Sequence, residues 1–106
     1  VYGIFQSTPD GHYLRANSAL AQIYGYDSSE QLINAVNDIA QQLYVDPSRR
    51  SQFVEMLREQ DAIVDFESEI HRKNGDTIWI AESVRKVLDP NGQLLFYEGM
   101  VREIKQ

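Results

Sequence analysis

The first 26 residues carry turn and cap signals that fix the order of the opening elements. The Asp10-Gly11 pair reverses an extended apolar run, because glycine accepts the positive φ that a tight turn needs. Asn17 can cap the next helix through its side-chain oxygen, and Gly25 can end that helix in the left-handed conformation. We therefore expect a β-hairpin, residues 2–8 and 12–16, that leads directly into a short helix.

Three further helix starts follow before residue 50. Ser28 and Gln31 have the spacing of a capping box, and Asp38 can cap a short helix. Asp46-Pro47 combines a capping carboxylate with a proline at the first helical position. The helix that it opens should extend to about Gln60. Its inward residues are expected to be Phe53, Met56 and Leu57.

From residue 62 the pattern changes from helical to alternating. Reversals at Asn74-Gly75 and at residues 89–92 divide the remainder into three antiparallel strands. A loop with Gly75 in a bulge pairs Ile70 with Ile78 and Phe66 with Glu82, and we favour this register because it gathers the apolar residues. The face that it forms is Val64, Phe66, Ile70, Ile78, Ile80 and Val84. Trp79 and Ala81 are then expected on the opposite, outer face.

The order of elements is β-β-α-α-α-α-β-β-β. It predicts an α+β fold in which one five-stranded antiparallel sheet has short helices inserted between strands 2 and 3 and packed on one face. With 106 residues the chain is read as a single domain, residues 1–106.

Composition excludes several classes of function. The formal net charge is −6 and the basic residues occur as scattered pairs, so nucleic acid is not expected as a partner. The chain has no cysteine, which removes disulfides, thiolate catalysis and Cys-ligated zinc. No apolar run approaches the roughly 20 residues of a membrane span. We expect a cytoplasmic segment without membrane contact.

Taken together, these motifs resemble the PAS domain, the sensory box of signalling proteins, over essentially the whole chain. The matching elements are Gly3-Ile4-Phe5, Pro9-Asp10-Gly11, Asn17, Tyr24-Gly25-Tyr26, Asp46-Pro47, Arg72-Lys73-Asn74-Gly75, Trp79, Asn91-Gly92, Gly99 and Glu103-Ile104. The family usually ends its last strand with Asp-Ile-Thr, whereas this chain has Glu103-Ile104-Lys105 and lacks the hydroxyl.

The resemblance implies a non-catalytic sensor or interaction module excised from a larger signalling protein. Such a module regulates a linked output domain, for example a histidine kinase of a two-component system or a cyclic-dinucleotide enzyme. A ligand-free dimerisation domain is the first alternative, and a small α+β enzyme is the second.

The cofactor is left open by the residues. Covalent flavin and cinnamoyl chromophores both need a cysteine, which is absent. Haem-binding relatives use a histidine in the long helix, and residues 46–60 contain none. Noncovalent flavin stays open. His12 and His71 are interpreted as surface residues, and no metal site is predicted.

Two candidate sites follow from the expected faces of the sheet. A ligand pocket beneath the helices would be lined by Phe53, Met56, Leu57, Phe66, Ser68, Ile80 and Glu82. The alternative, slightly favoured, is that the apolar members of this set fill a solid core without a cavity. Glu82 is then either a polar anchor for a ligand or a strand-edge residue that reaches solvent. On the outer face, Trp79, Ala81 and Tyr97 are candidates for a homodimer interface. Glu103 and Ile104, at the end of the last strand, are expected to pass a signal to the linked domain.

Overall fold

The structure is a computed structural model that describes residues 2–105. Its elements in chain order are β1 (Gly3–Ser7), β2 (Tyr13–Ala16), α1 (Ser18–Tyr24), α2 (Ser29–Ala35), α3 (Ile39–Gln42), α4 (Ser48–Glu59), β3 (Ala62–His71), β4 (Thr77–Leu88) and β5 (Leu94–Ile104). This is the predicted order, with four helices between the second and third strands.

The strands form one antiparallel sheet in the order β2-β1-β5-β4-β3. The N-terminal hairpin joins the C-terminal meander through β1 and β5, where Phe5 lies opposite Gly99. Gly99 is required at this crossing, because a Cβ there would lie 2.7 Å from the carbonyl oxygen of Ser83. The α+β fold with a five-stranded sheet is thus confirmed.

Asn17 connects the hairpin to α1. Its Oδ1 accepts from the N–H of Leu20, which caps the helix, and also from the N–H of Ile4 on β1, both at 2.9 Å. Gly25 ends α1 with a φ of 85°, the left-handed conformation that glycine adopts without strain. Both predicted ends of this helix are confirmed.

The later helix starts are also capped by side chains. Ser28 Oγ accepts from the N–H of Gln31, and Asp38 Oδ1 accepts from the N–H of Gln41. The start of α4 differs slightly from the prediction, because the helix begins at Ser48 and Pro47 occupies the cap position. Asp46 still contributes, since its Oδ1 accepts from the Ser48 N–H at 3.0 Å.

The register of the β3–β4 hairpin agrees with the bulged form. Ile70 lies opposite Ile78 and Phe66 opposite Glu82, and the Arg72 N–H donates to the Asp76 carbonyl at 2.7 Å. The apolar face beneath the helices includes Phe66, Ile70, Ile80 and Val84, all buried.

Val64 was assigned to the wrong face. The β3–β4 ladder is irregular between Ile63 and Phe66, and Asp65 has a φ of 52°. The extra residue of this bulge reverses the alternation, so Ile63 points into the core and Val64 is 76% exposed. The bulge thereby places a large apolar side chain in solvent at the edge strand.

Candidate functional site

The space beneath the helices brings together six of the seven predicted pocket residues. Phe53 and Leu57 on α4 are fully buried, and the Phe53 ring packs edge-to-face on Phe66 at 5.9 Å between centroids. The full set of buried predicted residues is Phe53, Leu57, Phe66, Ser68, Ile80 and Glu82. These rings are closely packed, so a bound molecule would have to be small or would have to move them apart.

Met56 is the exception, and its assignment to the pocket was wrong. It is 37% exposed because the face of α4 that meets the sheet contains Arg50, Phe53 and Leu57, which are spaced by three and four residues. Met56 lies on the flank of this face. The helical period alone would have allowed Arg50 in its place, but a charged residue was not expected in the core.

Glu82 is buried at the centre of β4, with 4% of its surface exposed. Tyr44, in the segment between α3 and α4, donates its hydroxyl to Glu82 Oε1 at 2.7 Å. Burial raises the pKa of Glu82, although the Tyr44 hydrogen bond and the positive charges of Arg50 and Arg49 oppose that rise. The Glu82 carboxyl group therefore lies in the interior, where it accepts the Tyr44 hydrogen bond, and it does not reach solvent at a strand edge.

Arg50 is a buried cation that the sequence did not single out. It is 5% exposed, and its Nη2 donates to the Thr8 carbonyl at 3.0 Å. The guanidinium group lies 4.6 Å above the Phe53 ring and 5.6 Å above the Tyr97 ring, within the range of cation–π attraction. Its Nε has no hydrogen-bond partner within residues 2–105.

Other polar atoms in the interior also lack a hydrogen-bond partner among the described residues. The hydroxyl groups of Ser7 and Ser68 are buried without a hydrogen-bond partner in the described part of the chain. Buried polar groups are ordinarily satisfied by protein, water or ligand. The inner face of the sheet therefore has hydrogen-bonding capacity for water molecules or for a small polar ligand.

The predicted outer-face interface residues do not form one surface. Tyr97 was assigned to the wrong face: it is 2% exposed and packs on Phe53 at 5.4 Å beneath the helices. Ala81 is on the outer face opposite Arg102, but it is also only 2% exposed. Trp79 is half-buried.

A different part of the outer face is open and apolar. A groove of about 380 Å³ lies over the centre of the sheet and is here called the outer groove. Its lining includes Ile4, Ala62, Val64, Ser83, Gly99 and Met100. The three large apolar side chains of this set are 76% exposed at Val64, 49% at Ile4 and 45% at Met100.

Both signs of charge border the outer groove. Arg85 Nη2 lies 2.6 Å from Glu98 Oε1, and both residues contribute to the lining. An exposed pair of this kind adds little to stability, about 0–1 kcal/mol. It does leave a cation and an anion side by side next to an apolar surface.

The end of β5 lies beside Trp79. Ile104 is half-buried opposite Trp79, and Glu103 is exposed opposite Ile80. Trp79 in turn lies opposite Glu69 on β3. Glu69, Trp79 and Ile104 therefore form a row across three strands on the outer face. No helix within residues 2–105 is long and apolar enough to span a membrane.

Comparison with known proteins gives structural neighbours over nearly the full chain. The PAS domain of a protein from Colwellia psychrerythraea is 21% identical with a TM-score of 0.76, covering 97% of this chain and 86% of that chain. A domain of a sensory box sensor histidine kinase/response regulator from Geobacter sulfurreducens is 24% identical with a TM-score of 0.70, covering 95% and 82%. At these identities the likeness concerns the fold.

A third neighbour is the light-state structure of the blue-light photoreceptor Aureochrome1 LOV. It is 17% identical with a TM-score of 0.76, covering 98% of this chain and 82% of that chain. The chain matches no curated protein. The family model described as PAS domain matches residues 1–106. The chain, with its five-stranded sheet and its helices on one face, therefore belongs to the PAS domain family.

Proposed function

We propose that this PAS domain is a non-catalytic signalling module that associates with a second copy of itself through the outer groove and thereby regulates a linked output domain. PAS domains are in general sensory modules, and one neighbour occurs in a sensor histidine kinase. An output domain of that class, or a cyclic-dinucleotide enzyme, is the expected connection, and the cytoplasm is the expected compartment.

The observation that carries the proposal is the exposure of three large apolar residues around one groove. Monomeric proteins rarely leave such side chains clustered, and a patch of this kind is typical of an interaction surface. Val64 is the strongest example, because a bulge with a left-handed Asp65 maintains its exposure. Strained backbone of this kind persists where the surrounding structure or a function requires it.

A second copy is the favoured occupant because the surface is self-complementary in charge. The whole chain has a net charge of −6, which opposes association in general. The outer groove, in contrast, has the neighbouring Arg85 and Glu98 at its border. A two-fold arrangement would allow the Arg85 of each copy to face the Glu98 of the other while the apolar residues meet between them.

Light scattering coupled to size exclusion tests this proposal. We expect the wild-type domain to be a dimer and Met100→Glu to be a monomer, with at least about a tenfold weaker dimer, since the new charge would be buried without a partner. Leu88→Glu is the matched control, because Leu88 is also 45% exposed but lies outside the outer groove. A monomeric wild-type protein, or equal losses in both variants, would contradict the proposal.

A ligand beneath the helices is the second candidate function. The buried atoms without partners at Ser7, Ser68 and Arg50 support it, together with the Glu82–Tyr44 pair. Native mass spectrometry of the purified domain tests this candidate. A retained small molecule that is lost in Glu82→Gln would support a ligand anchored by Glu82. A bare mass in the wild-type protein would favour the ligand-free dimerisation domain.

A further inference from the structure

A second groove follows the flank of α4, beside the turn between β1 and β2. It has a volume of about 370 Å³ and is here called the helix groove. Its lining is Pro9, Arg50, Ser51, Val54, Glu55 and Arg58. Arg50 is the one buried residue of this lining and therefore marks its deepest part. None of the six lines the outer groove, so the helix groove is separate from the proposed dimer surface.

The Arg50 guanidinium group is a buried cation without a neighbouring counter-charge. Arg50 is 5% exposed, and its Nη2 donates to the uncharged carbonyl of Thr8. Its other close contacts are the rings of Phe53 and Tyr97. Arg50 takes part in none of the ion pairs found within residues 2–105. A charge in the protein interior is unfavourable unless it is paired, so this position favours the binding of one negative charge.

The carboxyl groups near Arg50 do not supply that negative charge. Burial raises the pKa of Glu82, which favours its neutral form, and the charge of Arg50 only partly opposes that rise. Glu82 also has its own partner, the hydroxyl of Tyr44. Asp10 lies in the exposed turn and accepts a hydrogen bond from the Thr8 hydroxyl. The counter-charge of Arg50 therefore has to come from outside the described part of the chain.

Ser7 supplies a second, independent sign of a missing ligand atom. Its hydroxyl is fully buried and has no hydrogen-bond partner among the described residues. Ser7 lies opposite Tyr97 in the β1–β5 pairing, and both residues are buried on the inner face. The Arg50 guanidinium group lies above the same Tyr97 ring. The Ser7 hydroxyl and the Arg50 Nε, which also lacks a partner, therefore lie in one region beneath the first turn of α4.

Two hydrogen-bond donors beside a single positive charge favour an anion of charge −1. A carboxylate meets this condition, because its two oxygens accept hydrogen bonds from a guanidinium group and from a further donor. A phosphate group carries about −1.5 to −2 at neutral pH, more than Arg50 alone can balance. Arg58 does not add to the positive charge, because it is paired with Glu55 at 3.1 Å.

We propose that Arg50 and Ser7 bind the carboxylate of a small organic acid that enters through the helix groove. The rest of the molecule would lie in the helix groove, against its apolar members Pro9 and Val54. A volume of about 370 Å³ is at the lower end of the range for small-molecule sites, about 300–1,000 Å³. This inference rests on the second candidate function, a ligand beneath the helices, and assigns that ligand a chemical class.

The Nε–H group of Arg50 can be followed directly by heteronuclear nuclear magnetic resonance. We expect butyrate, added at constant pH and ionic strength, to produce a saturable shift of this resonance. Butyramide has a similar shape without the charge and should produce none. Methyl phosphate should bind more weakly than butyrate because of its higher charge. A shift that does not saturate, an equal response to butyramide, or tighter binding of methyl phosphate would overturn the proposal.

Two serine variants locate the site. Ser7→Ala should weaken butyrate binding about tenfold, the effect of losing one hydrogen bond to a charged group. Ser18→Ala removes an exposed hydroxyl at the start of α1 and should leave butyrate binding unchanged. Equal losses in the two variants, or no loss in either, would contradict the placement of the carboxylate beside Ser7.

Thermal unfolding gives a second measurement that does not depend on one resonance. Butyrate should raise the unfolding midpoint of the wild-type protein with increasing concentration, because it binds only the folded chain. Arg50→Met has an unbranched apolar side chain, and its midpoint should not respond. Arg50→Lys keeps the charge without the planar fork and should respond less than the wild type. Equal rises in the wild type and in a folded Arg50 variant would overturn the proposal.

The outcome can be separated from those of the two proposed functions. Dimerisation is measured by light scattering without butyrate. If butyrate fails to bind while native mass spectrometry detects a molecule that is lost in Glu82→Gln, the second candidate function stands and the carboxylate site at Arg50 is overturned.

Discussion

At the scale of single residues, Glu82 occupies the least usual environment. Glutamates are almost never fully buried unless a partner satisfies them, and here the partner is the Tyr44 hydroxyl. The sequence placed Glu82 and Ser68 on the inner face through the register of one hairpin, and both are buried there. The sequence did not identify Tyr44 as the hydrogen-bond partner of Glu82, because no local pattern relates two residues that are 38 positions apart.

The buried carboxyl group predicts a specific dependence of stability on pH. Because the pKa of Glu82 is raised above the ordinary 4.5, the folded chain keeps a proton that the unfolded chain has released. Burial of Glu82 therefore destabilises the folded chain least at pH values below the unfolded pKa. The stability that the bound proton contributes is lost as the pH rises through the folded pKa. Glu82→Gln should remove this part of the slope.

Denaturant unfolding of both proteins between pH 4 and pH 8 measures the effect. As the pH rises, the free energy of unfolding of Glu82→Gln should increase relative to that of the wild type. Glu30→Gln, on the surface of α2, serves as the control and should follow the wild type. Parallel pH profiles for wild type and Glu82→Gln would show that the carboxyl group is not held neutral.

At the scale of elements, the helical period of α4 predicts only part of the face that is buried against the sheet. Phe53 and Leu57 were expected inside and are fully buried, whereas Met56 is exposed and Arg50 takes the remaining inward position. The helical period alone is compatible with either Met56 or Arg50 as the third inward residue of α4. Burial of Arg50 depends on the Thr8 carbonyl and the rings of Phe53 and Tyr97, which are tertiary contacts.

Adjacent substitutions on α4 test this orientation. Leu57→Ala should lower the free energy of unfolding by about 2–5 kcal/mol, because it leaves a cavity in the core. Met56→Ala, one residue away, should change the free energy of unfolding by less than about 0.5 kcal/mol. Urea denaturation of the two variants gives the comparison. Similar losses at both positions would mean that α4 is rotated relative to the sheet.

The cap at Asn17 should be worth more than an isolated cap. Its Oδ1 serves both Leu20 on α1 and Ile4 on β1, whereas the Ser28 hydroxyl caps α2 alone. Removing a cap costs about 0.5–2 kcal/mol. Asn17→Ala should therefore destabilise at the upper end of this range and Ser28→Ala near the lower end, as measured by thermal or urea unfolding. Equal losses would argue against the second role.

Strand faces were predictable only where polar and apolar residues alternate. The β3–β4 register followed from such alternation and is confirmed. In β5, residues 94–97 are all apolar, so no alternation shows which of them face the helices. The prediction that Tyr97 lies on the outer face is wrong for this reason, since Tyr97 is buried beneath the helices. The bulge at Val64 leaves no mark in the sequence either, because Asp65 adopts a conformation more usual for glycine.

At the scale of the whole molecule, the two faces of one sheet have different proposed roles. The inner face, covered by helices, holds the buried polar groups around Glu82 and Arg50. The outer face has the open apolar groove, and Trp79 lies beside the end of β5. Because β4 and β5 contribute side chains to both faces, we propose that these two strands pass a change on the inner face to the outer groove and to Ile104.

The family and the fold were accessible from sequence because turn and cap signals occur in order along the whole chain. The location of the open surface was not, since Ile4, Val64 and Met100 come from three strands that are distant in sequence. Their proximity depends on the pairing of β1 with β5 and of β4 with its two neighbours.

The central claim is that two copies meet at the outer groove. The chain has no cysteine, so Met100→Cys and Leu88→Cys each provide one site for a spin label. Pulsed dipolar spectroscopy on each labelled protein should give a short, well-defined distance between copies for position 100. Position 88 should give a longer distance. Absence of a dipolar signal at both positions, or a shorter distance at position 88, would contradict the proposed dimer.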